Sequence, residues 1–592
     1  MVFSVVACGG SNTETAETED KYNNEIFKPY DAEGKPTYTE RDAYGTNASV
    51  SSTNWYASKS GLDVLKAGGN AVDAAVAVAY TLGVVEPYTS GIGGGGYMTI
   101  YDAKTKEVKM IDFREMAPAA TDVSTWFDEN GKMKYYHGLD GTFNNTAGLS
   151  KVSRLGGLAV GIPGEIAGLE EALTKFGSGN FTRAQLMQDG INYATNGYLV
   201  TPFMVESTND ELTQIQAMEE ISNYYLDDGF VYSIDDTVKN EDLAKTYKLI
   251  AEGGPDVFYK GEVGQALVDS VQKYGGVMTM DDLANYKLEY RTPIESTYRD
   301  YKVYALPPSS SGGTHLVEIL NILENYDFSK MEVNSPEYIH AIVEATKLSF
   351  ADRTKYMYDG VSEDIIEGLT NKEYAKTRFD AIEDGCGDYT EGDPSSYEHA
   401  STTSFSVVDK DGNMVTCTQT IGDFYGSKVA VGGYGFVLND EMYDFSESVN
   451  SPNSAKPGAR PLSCITPTVV LNPDGTPFLT IGTPGGSRIF AAVAQVIERM
   501  VDYKMDVQEA VETTRVFSDG SSAKLHYEKE SENSVHPIAQ ATLDKLTEMG
   551  YSLTEYKTYD NYFGGVQAIE FKDGGKIHGS ADPRRSGKAL AY

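Results

Sequence analysis

One boundary in this chain constrains its fold more than any other. Residues Glu383 to Ser401 are irregular and polar, with Gly385, Gly387, Gly392 and Pro394, and read as a mobile, exposed connection. Immediately afterwards the pattern turns to strands. Thr403 to Val408 alternates and is rich in β-formers, Lys410-Asp411-Gly412-Asn413 supplies an Asp-Gly hairpin turn, and Met414 to Thr420 returns as a second strand. Thr402 therefore stands where a loop meets the first strand of a hairpin. A cut before it would set a new α-amine and a hydroxyl together at the edge of a rigid sheet.

That arrangement has a chemical use. A threonine hydroxyl is a poor nucleophile near neutrality and needs a base. At a chain's N-terminus the residue's own α-amine can serve, with an unperturbed pKa near ~8. The remaining requirement is a set of backbone N–H donors for the developing oxyanion. A Thr-Thr pair at a strand start is equally an ordinary pair of β-residues, so the surroundings have to decide.

Elsewhere, helical and strand patterns mix and no internal repeat is visible. Asn70 is placed to cap a helix from Ala71 to about Leu82, with Asp73 favoured by the helix dipole and Val72, Ala75, Val76 and Ala79 on one apolar face. A glycine run follows, then strands Tyr97 to Tyr101 and Val108 to Phe113. Further helices are expected at Leu316 to Asn325, Tyr338 to Ala351, Ile489 to Val501 and Val507 to Thr514. Gly91-Ile92-Gly93-Gly94-Gly95-Gly96 satisfies G-x-G-x-x-G literally, but a helix precedes it and a strand follows, the reverse of a dinucleotide fingerprint. Ser309 to Gly313 lacks the Lys-Ser/Thr ending of a phosphate loop.

Composition excludes some classes. The net charge of −38, from 49 Lys+Arg against 87 Asp+Glu, repels nucleic-acid phosphates and gains nothing from anionic lipid. With 40% hydrophobic residues the chain has ample material for a large core. Cys8, Cys386, Cys417 and Cys464 form no C-x-x-C pair, and the seven histidines show no H-E-x-x-H spacing, so neither metal nor cofactor is expected. Val2 to Ala7 is a short apolar run ending at Cys8-Gly9-Gly10-Ser11, similar to a bacterial lipoprotein box, although the usual basic start is missing. Ser11 to Asp20 then reads as an acidic, Thr-rich tether. The expectation is an extracytoplasmic protein attached to a membrane surface only through a lipid on Cys8.

The run Thr402-Thr403-Ser404-Phe405-Ser406-Val407-Val408-Asp409-Lys410-Asp411-Gly412-Asn413 resembles the start of the small subunit of gamma-glutamyltranspeptidases. Gly68 to Ala75, the glycine run through Tyr97, Asp112-Phe113-Arg114-Glu115-Met116-Ala117-Pro118, Pro307 to Gly313 and Ile319 to Asn325 resemble that family's large subunit. Arg460 to Ser463, Thr483 to Arg488 and Asp582 to Arg585 match downstream, so the resemblance covers roughly residues 45 to 592 in order. It implies an α/β fold, the four-layer αββα sandwich of the N-terminal nucleophile hydrolases, made as one precursor. Here the parts would be a signal remnant and tether over 1–30, a large subunit over 31–401 and a small catalytic subunit over 402–592, with the cut between Ser401 and Thr402. The implied activity transfers a γ-glutamyl group from glutathione or a related donor, through an acyl-enzyme on Thr402, to water or to an amino-acid or peptide amine.

The resemblance also assigns roles, each beside a plainer reading. Arg114 would hold the donor α-carboxylate, or form a surface ion pair with Asp112 or Glu115. Glu441 and Asp444 would receive the α-ammonium, or belong to a solvated loop. Ser463 and Cys464 occupy the positions of a serine pair that binds the α-carboxylate. Gly485 and Gly486 would form the oxyanion hole, or a turn. Thr420 would orient the nucleophile, or sit as a buried strand residue.

Three positions depart from the family pattern: Gly422 stands where many members have an asparagine, Cys464 replaces a serine, and Ser404 replaces a common histidine. The stretch from Asp444 to Pro461 is short, as if a lid loop were missing. Alternatives therefore stay open: a poly-γ-glutamate depolymerase or an acylase on the same scaffold, a lipid-anchored binding protein that fails to mature, or Thr403 as the nucleophile.

Overall fold

The hairpin expected after Thr402 forms as an antiparallel pair, Thr403–Val408 against Met414–Thr420, in register from Thr403↔Gln419 to Val408↔Met414. Alternation gives the pair two faces. Phe405, Val407, Val415 and Cys417 join the larger apolar core with the helices beneath. Ser404, Ser406, Thr416 and Thr418 face the other way, onto a second sheet: Ser406 Oγ donates to Gln567 O at 3.0 Å, and a Cβ added to Gly482 would come within 2.5 Å of Ser404 Oγ. Small hydroxyl side chains let the two sheets approach closely at this end. Farther along, Tyr101, Val408 and Met414 meet Val469, Leu471, Ile569 and Ile577 in a smaller apolar cluster.

The computed structural model describes residues 40–137, 143–144, 148–389, 402–518, 520 and 523–592, with residues 28, 31 and 35–37 ahead of them. Cys8, Ser401 and most of the connection before Thr402 lie outside the described residues. One seven-stranded sheet runs in the order Glu289–Arg291, Glu107–Asp112, Gly95–Asp102, Met414–Thr420, Thr403–Val408, Ser49–Ser52, Leu590–Ala591. The other runs Ala43–Gly45, Lys576–Ala581, Gln567–Lys572, Pro477–Gly482, Thr468–Leu471, Tyr301–Ala305, Ile294–Tyr298. All pairings within both are antiparallel.

Each sheet turns its outer face to helices, giving the four-layer αββα sandwich. Trp55–Lys66, Ala71–Val85 and Glu165–Phe176 cover the first sheet. Gly312–Leu323, Pro336–Tyr356 and Ile489–Asp502 cover the second. Burying one aliphatic side chain is worth ~1.5–3 kcal/mol, so these two cores dominate the stability.

The helix at Ala71 begins as the sequence requires. The Asn70 side chain accepts from the backbone of Asp73, and the Asp73 side chain accepts from the backbone of Asn70. It runs to Val85, past the expected end, because every residue of it is buried. The expected helix at Leu316–Asn325 instead spans Gly312–Leu323. Cβ atoms on Gly312 and Gly313 would overlap the carbonyl oxygens of Cys464 and Leu306. These glycines permit close packing rather than a turn. The Gly91–Gly96 run has a similar use: a Cβ at Gly94 would overlap Thr420 O, so the run lies flush against the strand that ends at Thr420.

Candidate active site

Thr402 sits immediately before its strand, 7% exposed, with a φ of +82°. A β-branched side chain in that region costs on the order of 1–3 kcal/mol, a strain that the surrounding structure has to hold. Its Oγ1 donates to Thr420 Oγ1 at 3.2 Å, and Thr420 Oγ1 also accepts from Gly422 N at 2.9 Å. Thr403 points to the opposite face. Its hydroxyl donates to Glu86 Oε2 at 3.0 Å, a carboxylate that also accepts from Thr53 Oγ1 at 2.8 Å. Burial pushes the Glu86 pKa up, against those hydroxyl bonds. Thr403 is thus tied to the end of the Ala71–Val85 helix, away from the cleft.

Arg114 is placed by the strand Glu107–Asp112, and it is 1% exposed. The surface ion pair that the sequence left open is corrected here: burial is nearly complete, Glu115 stands 3.8 Å away and is itself buried, and the nearer partners come from a distant turn. Nη2 lies 2.7 Å from Glu441 Oε2 and pairs with Asp444 Oδ2, both carried by the short turn Glu441–Asp444. Those two acids are correspondingly not on a solvated loop. Burial works against the Arg114 cation, but Glu441, Asp444 and Glu115 outweigh it and hold its pKa well above the usual guanidinium value. Burial pushes Glu441 up to about 8 despite Arg114. Burial and the adjacent Glu441 push Asp444 up to about 7.

Asp112 anchors the arginine from behind. It accepts from Arg114 N at 3.0 Å and from Ser309 Oγ at 2.8 Å, with Arg291 and Arg460 balancing its charge. Ser309 and Ser311 in turn fix the opposite wall: Ser463 N donates to Ser309 O at 3.1 Å and Ser311 N donates to Ser463 O at 2.9 Å. Ser463 Oγ accepts from Ile465 N at 3.1 Å. Cys464, 4% exposed, follows on the same wall.

Gly485 and Gly486 form the turn between the strand Pro477–Gly482 and the helix Ile489–Asp502, with φ of +138° and +54°. A Cβ on Gly485 would press within 3.1 Å of Gly564 Cα, so position 485 needs glycine for its backbone and for its space.

These elements meet around one small cleft. Arg114, Thr402, Thr420, Gly422, Glu441, Tyr443, Asp444, Ser463, Cys464 and Gly486 line it, together with Ile465 and Ile489. Gly485, the neighbour of Gly486 in the turn, is not among the lining residues. Ser404, the third departure, faces the neighbouring sheet and donates to Cys417 O at 3.1 Å. Residues after Asp444 fold on themselves, Ser446 N donating to Asn453 O at 2.8 Å and Asn453 Nδ2 to Asp444 O at 2.8 Å.

Sequence reasoning missed two features. Glu115 is fully buried, and among the described residues neither of its oxygens accepts a hydrogen bond; its nearest cation is Arg114, 3.8 Å away. Burial pushes it up to about 8. Its adjacency to Arg114 was the available signal. Tyr443 was missed too: it lines the cleft with Arg154 stacked 4.1 Å from its ring centre, a pairing that no local pattern could show.

Comparison with known proteins gives consistent matches over nearly the whole chain. A family model described as Gamma-glutamyltranspeptidase matches residues 57–592. The chain is 35% identical over 587 residues to a glutathione hydrolase proenzyme of Bacillus subtilis (strain 168), covering 95% of each. It is 33% identical over 560 residues to the acylase ACY 1 proenzyme of Pseudomonas sp. (strain SE83), covering 94% of this chain and 95% of that protein. Among solved structures, a cephalosporin acylase from Bacillus halodurans superposes with a TM-score of 0.81 at 26% identity, covering 96% of this chain and 99% of that one.

Proposed function

This chain belongs to the gamma-glutamyltranspeptidase family, and on that premise we propose that it is a precursor cut between Ser401 and Thr402, whose new N-terminal threonine hydrolyses or transfers γ-glutamyl groups. The observation that carries the reading is the conformation of Thr402: a buried, β-branched residue at a φ of +82°, beside the Thr420 hydroxyl and lining the same cleft as Arg114. In the precursor, Thr402 Oγ1 attacks the preceding carbonyl carbon; breakage of the C–N bond frees the Thr402 α-amine, which keeps the hydroxyl proton, and leaves an ester, which water hydrolyses to the Ser401 carboxylate and the free Thr402 hydroxyl. Loss of the preceding peptide bond frees Thr402 from its constrained φ, so strain and chemistry point the same way.

In the mature enzyme the α-amine takes the Oγ1 proton as Oγ1 attacks the γ-carbonyl. The backbone N–H groups of Gly485 and Gly486 receive the oxyanion, and Thr420 holds the nucleophile's hydroxyl in place. The leaving amine departs with the proton, and water or an acceptor amine resolves the ester. The donor head group inserts into the existing ion pairs: its carboxylate takes Arg114, with Ser463 and Cys464 on the facing wall, while its ammonium takes Glu441 and Asp444. Glutathione and related γ-glutamyl compounds fit that charge pattern. Relatives described as acylases make des-amino acyl donors the second reading; three carboxyl groups around one guanidinium favour the amino-bearing donor. The subunits are residues 31–401 and 402–592, and the Cys8 sequence supports a lipid-anchored, extracytoplasmic location.

Mass spectrometry of the purified protein tests the core of this. Two fragments are expected, the smaller beginning Thr-Thr-Ser-Phe, with turnover of L-γ-glutamyl-p-nitroanilide. Thr402→Ala is expected to stay whole and inactive. A Thr402→Ala protein that still splits, or a small fragment beginning at Thr403, would overturn the assignment. Loss of fatty-acid labelling in Cys8→Ala checks the anchor.

A further inference from the structure

Gly422 lines the cleft at a φ of +94°. A Cβ built there would overlap Oδ1 of Asp440 and lie 3.3 Å from the ring of Tyr443. A side chain at 422 is therefore excluded by a carboxyl group, and that carboxyl group has spare capacity. Asp440 is fully buried. Its Oδ1 accepts from Asp423 N at 2.8 Å, its backbone N donates to Ile421 O at 3.0 Å, and among the described residues Oδ2 accepts no hydrogen bond. Buried acceptors of this kind are rare unless something fills them.

We propose that Asp440 is a donor-binding, specificity-determining residue: Oδ2 accepts a hydrogen bond from the ammonium group of the bound γ-glutamyl donor, in place of a side chain on residue 422. The inference rests on the donor class proposed above. Its neighbours make it selective for a cation. Asp423 already pairs with Arg154 at 2.6 Å and Lys428 with Glu211 at 3.1 Å, so the adjacent charges are taken. Glu441, the next residue, and Asp444 line the cleft together with Gly422, directly behind which the Asp440 carboxyl lies. Burial and Asp423 hold the Asp440 pKa well above the usual carboxylate range, against the pull of Lys428. An arriving ammonium supplies a charge that stabilises the ionised form.

Asp440→Asn is the informative variant. Its Oδ1 can still accept from Asp423 N, which forces the Nδ2 amide to the Oδ2 position, where it presents N–H to an N–H ligand. The experiment compares wild type and variant on L-γ-glutamyl-p-nitroanilide and on glutaryl-p-nitroanilide, which lacks the amine. Maturation is checked on a denaturing gel. The expected result is a matured variant whose KM for the γ-glutamyl donor rises roughly tenfold to a hundredfold, with kcat little changed and glutaryl turnover unaltered. Equal KM values for the γ-glutamyl donor, or equal losses on both donors, would overturn the proposal. Failure of both Asp440→Asn and Asp440→Ser to mature would also overturn it, by assigning Asp440 to the fold. A wild type that turns over only the glutaryl donor would instead defeat the donor class on which the inference rests.

Discussion

Two parts of one cleft are built from different materials. Around Arg114 the wall is charged: one guanidinium, with Glu115 and Glu441 buried beside it and Asp444 mostly shielded. Around Thr402 the wall is uncharged: two threonine hydroxyls and a glycine turn whose backbone conformation is its contribution. Charges discriminate between head groups, since a mismatched charge in a dry site is costly. Backbone donors stabilise a charge that exists only during reaction. The difference teaches that binding and chemistry are separable here, which makes the division testable by the kinetic constant each substitution moves.

The largest effect is expected from the uncharged part. Gly485→Ala puts a Cβ within 3.1 Å of Gly564 Cα at a φ of +138°, and the turn has to shift. We expect kcat to fall roughly 10²–10³-fold, the usual loss for one displaced oxyanion donor, with KM little changed. Stopped assays on the matured variant read this directly. A normal kcat would remove the turn from the chemistry.

Arg114→Lys probes the charged part. A lysine keeps the charge but has no planar fork to span Glu441, Asp444 and a donor carboxylate together. The expected change is a KM rise of roughly tenfold to a hundredfold with kcat held within a few-fold. Should kcat fall instead, the two parts of the cleft would be coupled through Asp112, which joins Arg114 to the Ser309 wall.

The two parts also differed in how far the sequence disclosed them. Thr402 was legible from local pattern, because a change from irregular chain to strict alternation marks a strand start on its own. The nucleophilic role of Thr402 and the orienting role of Thr420 came only with the family resemblance; the pattern alone gave the hairpin that carries them. The sheet order and the helices between Glu165 and Ala284 were not read, since pairings such as Met414–Thr420 with Gly95–Asp102 join residues hundreds apart. The charged residues were legible only through family resemblance: alone, Arg114 looked like a surface cation and Glu441 like one acid among 87 acidic residues. What makes them a pocket is burial, which depends on the whole sandwich closing over Arg114. Gly422 was noticed as a departure, but the Asp440 carboxyl that fills its space shows only in three dimensions.

A smaller effect, set by pH, sharpens the comparison further. Burial raises Glu441 to about 8 and Asp444 to about 7, with the adjacent Glu441 adding to the latter. In the empty cleft both therefore favour the protonated form below about pH 7, and an incoming ammonium has to displace those protons. KM for an amine-bearing donor is expected to rise as pH falls from 8 to 6, whereas KM for glutaryl-p-nitroanilide should stay nearly flat. The sign for stability is opposite to that of an ordinary salt-bridged acid. Carboxyls with raised folded pKa values contribute stability in the protonated form, and that contribution fades as pH climbs from their unfolded values near ~4 towards 7–8. The donor-free protein should accordingly lose thermal stability across that window, and Asp444→Asn, which cannot ionise, should lose less. Melting curves at pH 5, 6.5 and 8 measure it. An Asp444→Asn protein with the wild-type pH slope would mean that Asp444 is not among the groups whose protonation sets this window.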